Sequence, residues 1–342
     1  MFNNYNEVLD NAREVLKGFC DVCPECNGLR CKGKVPGCGA KGSGASFTVC
    51  REYLKSVKIK LSAVHEHFEA ETGFEAFGHK FDAPIFVAPI GGMKLNYGGV
   101  LTEKEFVEAV TKGAFDSGIA AWTGDGPVKE YFETALPMIA GLDGKVIPTV
   151  KPWEQGEAIA RIEAVRKSCA MAVAMDVDSA ALVNLKLQGK AVYTKTEAEL
   201  KELAEAAQIP FIVKGVMTAE DAVECANSGC YGIVVSSHGG RIMEDNPAPA
   251  MMLPEIRRAV GSRMKIFVDG GIRSGADVFK CLALGADAVL VGRPYAIAAH
   301  GGRDEGVKML TEKLIAELKE TMLMADTKTL ADISTTKLKI VK

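Results

Sequence analysis

What the chain lacks narrows its role first. No apolar run approaches the ~20 residues that cross a bilayer, so no membrane span is expected. The opening stretch, MFNNYNEVLDNAREVLKGF, does not have the basic-then-apolar layout of a secretory signal, and a cytoplasmic protein is expected. Charge of neither sign is in surplus: 41 Lys and Arg stand against 44 Asp and Glu, for a net charge of -3. That balance gives nucleic acid or an anionic membrane no electrostatic reason to be the main partner. Only five histidines and two tryptophans occur. His65, His67 and His300 read as surface or structural residues, and Trp122 and Trp153 as packing. There is no Walker-type phosphate loop, no low-complexity tract and no interdomain linker.

Cysteine, by contrast, is plentiful. Ten cysteines in a chain of 342 residues that is not marked for secretion do not read as a disulfide framework. Cys20, Cys23, Cys26, Cys31 and Cys38 crowd one segment, whereas Cys169 and Cys281 fall in apolar helical patterns, where a thiol is an ordinary small core residue. Ahead of the crowded segment, Val8, Ala12, Val15 and Phe19 share one side of a helix.

From residue 84 onward a rhythm sets in. Eight short apolar runs recur: PIFVAPI, GIAAWTGD, KVIPTVKP, AMAVAMDVD, PFIVKGV, GIVVSSHGG, KIFVDGGI and AVLVGRP. Continuous rather than alternating runs fit parallel strands buried on both faces. Helical patterns such as 154–168 and 275–286 lie between them. Eight strand–helix units predict an α/β fold, a (β/α)8 TIM barrel over 81–342, with residues 1–80 forming a helical and cysteine-rich extension packed on it. The connection 182–199 breaks the rhythm and is placed to cover the barrel mouth.

Active sites of such barrels sit where the strands end. Those ends carry Asp125, Lys151, Asp176, Asp178, Lys214, His238 with Arg241, Asp269 with Arg273, and Arg293. A purely structural barrel would need few ionisable groups there. VDGGIRSG and VGRP, after strands seven and eight, combine glycines, arginines and helix starts into a phosphate cradle. In SSHGGR, after strand six, a histidine can act as base while an arginine grips a carboxylate. The rival GCGAKG at 37–42 has neither a strand before it nor a helix after it, so it is no dinucleotide fingerprint.

The strand-five Lys-Gly, His-Gly-Gly-Arg, DGGIRSGAD and GRP, in that order, resemble the FMN-dependent 2-hydroxy acid oxidoreductases, the glycolate and lactate oxidase group. The likeness is strong over 210–300, fair over 81–178 and poor before 80. It implies that Lys214 meets the pyrimidine edge of the flavin and that Ala88, Pro89 and Ile90 line its reactive face, with Ser236 and Thr123 touching the ring. Asp269, Gly271, Arg273, Gly292 and Arg293 would hold the ribityl chain and phosphate. His238 would be the base, Asp176 its orienting partner, and Arg241 the substrate carboxylate clamp. A small 2-hydroxy acid such as L-lactate and a homotetrameric assembly follow from the same resemblance, while the final electron acceptor is left open.

The departures matter as well. A second carboxylate-binding arginine is missing from DVDSAALVNLK, tyrosines expected near the N-terminus and at the end of strand three, which reads PTVKP, are absent, and Ala174 replaces a flavin-side threonine. Either the substrate differs from glycolate or lactate, or Lys151 or the N-terminal segment supplies the lost contacts. The spacing of Cys20, Cys23, Cys26 and Cys31 suits a zinc ion or an iron–sulfur cluster, with a redox disulfide or incidental thiols as the plainer readings. A nucleotide-dehydrogenase barrel would need a cysteine after strand six, where this chain has SSHGGR. The remaining rivals are a flavin-dependent isomerase of the isopentenyl diphosphate kind, which would not need the His-Gly-Gly-Arg pair, and a non-catalytic flavin- or metal-binding protein.

Overall fold

The structure, a computed structural model, describes residues 2–341. Eight parallel strands close a barrel in chain order: β1 (Ile85–Val87), β2 (Ala120–Thr123), β3 (Val146–Val150), β4 (Val173–Asp176), β5 (Phe211–Val216), β6 (Gly232–Val235), β7 (Lys265–Val268) and β8 (Ala288–Val291). Closure is made by β8 on β1, with Val289 opposite Ile85. Each of the eight apolar runs supplies one strand.

Alternation along the strands sorts the side chains. Phe86, Trp122, Ile147, Ile212, Phe267 and Leu290 belong to the core inside the barrel, while their neighbours pack outward on the helices. The hairpin made by Phe74–Ala76 and His79–Phe81 plugs one end. Phe77 stacks on Phe267 at 5.8 Å, and its N–H donates to the Tyr231 hydroxyl just ahead of β6. The plug therefore lies where the strands begin, which leaves the other end for chemistry.

Helix Tyr5–Val15 packs Val8 and Ala12 against the last long helix, Arg293–Met324. A Cβ on Gly301 would come within 2.2 Å of the Val8 carbonyl, so the two helices touch backbone to backbone. Strand Val57–Ile59 pairs with Leu338–Ile340, tying the extension to the end of the described chain. Two expectations are corrected. The first helix ends before Phe19, which is 44% exposed beyond Gly18 at φ +90°. Cys169 likewise falls past the end of helix Gln155–Lys167, in a left-handed turn at φ 64°, and faces solvent instead of the core. Cys281 is buried as expected.

Candidate active site

Beyond the last residue of β6 the chain turns sharply. His238, Gly239 and Gly240 all take positive φ, 54°, 64° and 76°. The glycines are required: a Cβ on Gly239 would meet Arg293 Nη1 at 2.6 Å, and one on Gly240 would meet the Phe47 N–H nitrogen at 2.9 Å. The turn aims His238 at two carboxylates from the end of β4. Its Nδ1 bonds Asp178 Oδ1 at 2.9 Å, while its Nε2 lies 3.9 Å from Asp176 Oδ2. The orienting partner is therefore Asp178 rather than the expected Asp176. Gly215 makes room for this arrangement: at φ +98° beside a register shift in β5, it leaves space where a Cβ would sit 2.5 Å from Asp178 Cγ. Asp176 is instead paired with Lys151, whose Nζ also donates to Ser179 Oγ at 3.3 Å. Lys151 is thus committed to this network and is no free second clamp.

Electrostatics define the resting state. Burial drives the His238 pKa down, only partly countered by Asp178, so the ring is neutral near pH 7. A carboxylate can only accept, so Nδ1 carries the proton and Nε2 keeps its lone pair. Burial pushes the Asp178 carboxyl up, but His238, Lys214 and Lys151 together hold it below its usual range. Lys214 loses hydration, yet the carboxylates of Asp269, Asp178 and Asp176 hold its pKa above normal. Its Nζ donates to Ser236 Oγ at 3.0 Å and faces Asp269 at 3.5 Å, and Ser236 in turn donates to Asp269 at 2.9 Å.

The same cleft, about 1210 Å³ with its open mouth included, is lined by Ala88, Pro89, Ile90, Gly271, Gly292 and Lys214. Glu103, which belongs to no motif of the sequence, shapes the first of these walls. Its carboxylate accepts from the N–H groups of Gly92 and Met93 at 2.9–3.1 Å, and burial raises its pKa to about 7. The hydroxyl of Thr149 and Oδ1 of Asp269, both lining the cleft, are buried without partners, as is the hydroxyl of Thr123 at the end of β2, which is not part of the lining. At the far end, helix Arg293–Met324 begins at Gly292 with no side chain capping it, which leaves an anion-binding terminus.

The N-terminal segment lies across this mouth. Arg241 donates through Nη1 to the Gly37 carbonyl and through Nη2 to Asn96 Oδ1, at 2.5 and 3.0 Å, and burial lowers its pKa to about 10. Arg293 donates to the carbonyls of Cys38, Gly39 and Gly239 and lies 3.9 Å over the Phe47 ring. Arg273 lines the cleft and is also held by the N-terminal segment: it donates through Nε to the Cys26 carbonyl at 3.0 Å and through Nη2 to Cys26 Sγ at 3.5 Å. Asn96, Asn184 and the Gly37–Gly39 carbonyls were not legible as site groups, because amides and backbone atoms carry no motif.

Cys38 Sγ donates to the Phe19 carbonyl at 3.1 Å. Cys20, Cys23, Cys26 and Cys31 do not converge on one point. Among the described residues, the group of three or more His, Cys, Asp or Glu donors within 4.8 Å of one another is Asp176, Asp178 and His238.

Comparison with known proteins agrees with this geometry. The sequence pattern of the FMN-dependent dehydrogenase family matches residues 100–340. A 4-hydroxymandelate oxidase of Amycolatopsis orientalis is 31% identical over 84% of this chain and 88% of its own. A peroxisomal (S)-2-hydroxyacid oxidase of Arabidopsis thaliana is 42% identical over 40% of this chain and 38% of its own, and an L-lactate oxidase of a Roseobacter species is 42% identical over 43% and 40%. The chain thus spans about two fifths of the length of these last two relatives. Among solved structures, a mandelate oxidase with 2-hydroxy-phenylacetamide superposes over 100% of both chains with TM-score 0.80 at 25% identity. Another mandelate oxidase, with a monooxide FMN adduct, covers 88% of this chain and 93% of its own with TM-score 0.74 at 27% identity. With its closed eight-stranded barrel and a family match over well more than half its length, the chain belongs to the FMN-dependent dehydrogenase family.

Proposed function

We propose that this chain is an FMN-dependent oxidoreductase that converts a small 2-hydroxy acid to the 2-oxo acid. The observation that carries the reading is a neutral His238 with Nε2 free, set between two carboxylates in the same cleft as Lys214 and Arg241. FMN suits the residues present. The unpartnered Thr149 hydroxyl offers a polar contact for a ring edge, Lys214 a cation for its electron-rich side, and Gly292 with the uncapped helix start a seat for phosphate. When bound, FMN supplies the two-electron acceptor.

The protein's own part is proton handling and grip. Arg241 holds the substrate carboxylate with N–H groups left over from Gly37 and Asn96. His238 Nε2 takes a proton from the substrate, and the resulting imidazolium is stabilised by Asp178 at Nδ1 and Asp176 beside Nε2. Lys151 balances the charge on Asp176, so the carboxylate pair does not hold the imidazolium so tightly that the proton is never released.

The N-terminal segment covers the mouth and excludes water. Metal or iron–sulfur binding by its cysteines is a separate proposal, supported only by their spacing. Absence of iron, zinc and acid-labile sulfide from anaerobically purified protein would remove it. The cytoplasmic and homo-oligomeric expectations belong to this proposal too; among the described residues no helix is long and apolar enough to cross a membrane. An anaerobic visible spectrum before and after L-lactate tests the main reading: flavin bands that bleach support it, and protein without flavin overturns it.

A further inference from the structure

Beside Arg241 three side chains form a chain of hydrogen bonds whose direction is set by one fact: a guanidinium donates and never accepts. Arg241 Nη2 donates to Asn96 Oδ1 at 3.0 Å, and the Gly37 N–H donates to the same oxygen at 3.3 Å. At its other end Asn96 Nδ2 donates to the Gly91 carbonyl at 2.9 Å. Asn96 is therefore fixed in one orientation. Asn184 lies against it with Nδ2 3.4 Å from Asn96 Oδ1; turned over, it would set oxygen against oxygen. Its own Oδ1 must face the other way, and there it has no partner, although the residue is only 7% exposed.

A buried acceptor without a donor is unfavourable and marks a place where something else belongs. Asn184 lines the same cleft as His238, Lys151 and Arg241, on the short helix Val183–Leu187 that follows β4. Leu182 and Leu185 bring apolar side chains to the same wall, and the amide of Gln188, exposed at the helix end, makes no bond to Asn184 Oδ1. Lys151 cannot supply the donor without leaving Asp176 and Ser179. The substrate carboxylate has no proton to donate, and the reacting hydroxyl is directed at His238.

We propose that Asn184 is a specificity-determining residue whose Oδ1 accepts a hydrogen bond from a second donor on the substrate. The preferred substrates are then 2-hydroxy acids that carry a further hydroxyl or amide N–H next to the reacting carbon. This rests on the reading of the cleft as a 2-hydroxy acid site. A site built to receive a hydroxyl discriminates strongly against the analogue that lacks it, because its own buried group is left unpaired.

The test uses FMN-loaded enzyme and two pairs of compounds that differ by one hydroxyl. Anaerobic flavin reduction is compared for L-glycerate and L-lactate, and binding of hydroxypyruvate and pyruvate is read from perturbation of the flavin spectrum. The wild type is expected to favour the hydroxyl-bearing member at least tenfold in kcat/KM and in Kd. Asn184→Leu, with the same branched heavy-atom shape but no acceptor, is expected to cut both ratios at least tenfold. Ratios near one in the wild type mean that a fixed water satisfies Asn184, and overturn the proposal. A variant that loses activity with both acids while both ratios stand also overturns it, since the residue would then be structural. If neither acid reduces the flavin, the proposed function fails, and the two Kd values still decide the role of Asn184.

Discussion

The two ends of the cleft are held by different means. At the His238 end every ionic group finds a charged partner at another strand end: Asp178 for the ring, Lys151 for Asp176, Asp269 for Lys214. At the mouth, Arg241, Arg273 and Arg293 are held by peptide carbonyls of an irregular segment about two hundred residues or more away in sequence. Charge pairs between strand ends hold the His238 ring in a narrow range of positions. Carbonyls on a glycine-rich loop can give way as a ligand enters, since each guanidinium has other N–H groups to offer. One end is built to stay still and the other to adjust.

The strongest way to break the comparison is at the base. His238→Gln should lower the rate of flavin reduction by 2-hydroxy acid ~10²–10⁴-fold, the usual range for a general base, while the flavin spectrum of the resting enzyme is retained. Asp178→Asn should cost more of that rate than Asp176→Asn, because it removes the acceptor that fixes the ring; equal losses would return the orienting role to Asp176. A ligand-free pH profile sharpens this: with its pKa held below the ordinary histidine value, His238 stays a base down to pH below ~6.5, and activity should fall only beneath that.

Stability effects come next. Lys151→Met leaves Asp176 buried without its cation and should cost ~3–5 kcal/mol in urea unfolding, the scale for breaking one side of a buried pair. At the mouth, Gly240→Ala puts a methyl 2.9 Å from the Phe47 nitrogen at φ 76°. It should cost ~1–3 kcal/mol and, more tellingly, make the segment 20–44 cleave faster in limited proteolysis than the barrel. If both regions resist equally, the segment is as rigid as the base.

The smallest effect is the pH response of Glu103. Its pKa is raised by burial from 4.5 to about 7, so its contribution to stability is fully present below about 4.5 and is lost as pH rises through about 7. The stability difference between wild type and Glu103→Gln should therefore shift in favour of the variant by ~1–2 kcal/mol between pH 5 and pH 8 in urea titrations. A constant difference would show the Glu103 carboxylate charged throughout.

Much of this molecule was legible without coordinates. Eight apolar runs predicted eight strands because parallel strands covered on both faces leave an unbroken apolar signature, and the polar residue ending each run had to emerge at one face of the barrel. That placed Lys214, His238 and Asp269 in one ring. Phe19 and Cys169 were misplaced because a helical pattern does not announce where a left-handed turn will end the helix.

The sequence by itself determined the barrel, the end at which chemistry gathers, and the residue types present there, since strand period and glycine chemistry are local properties. Only the tertiary structure decided the pairings. Asp178 takes His238 because Gly215 clears its path, Cys26 takes Arg273, and Asn96 orients Asn184. Each of these depends on which side chains from distant strands share a few ångströms, a relation that lies between segments and is written in none of them.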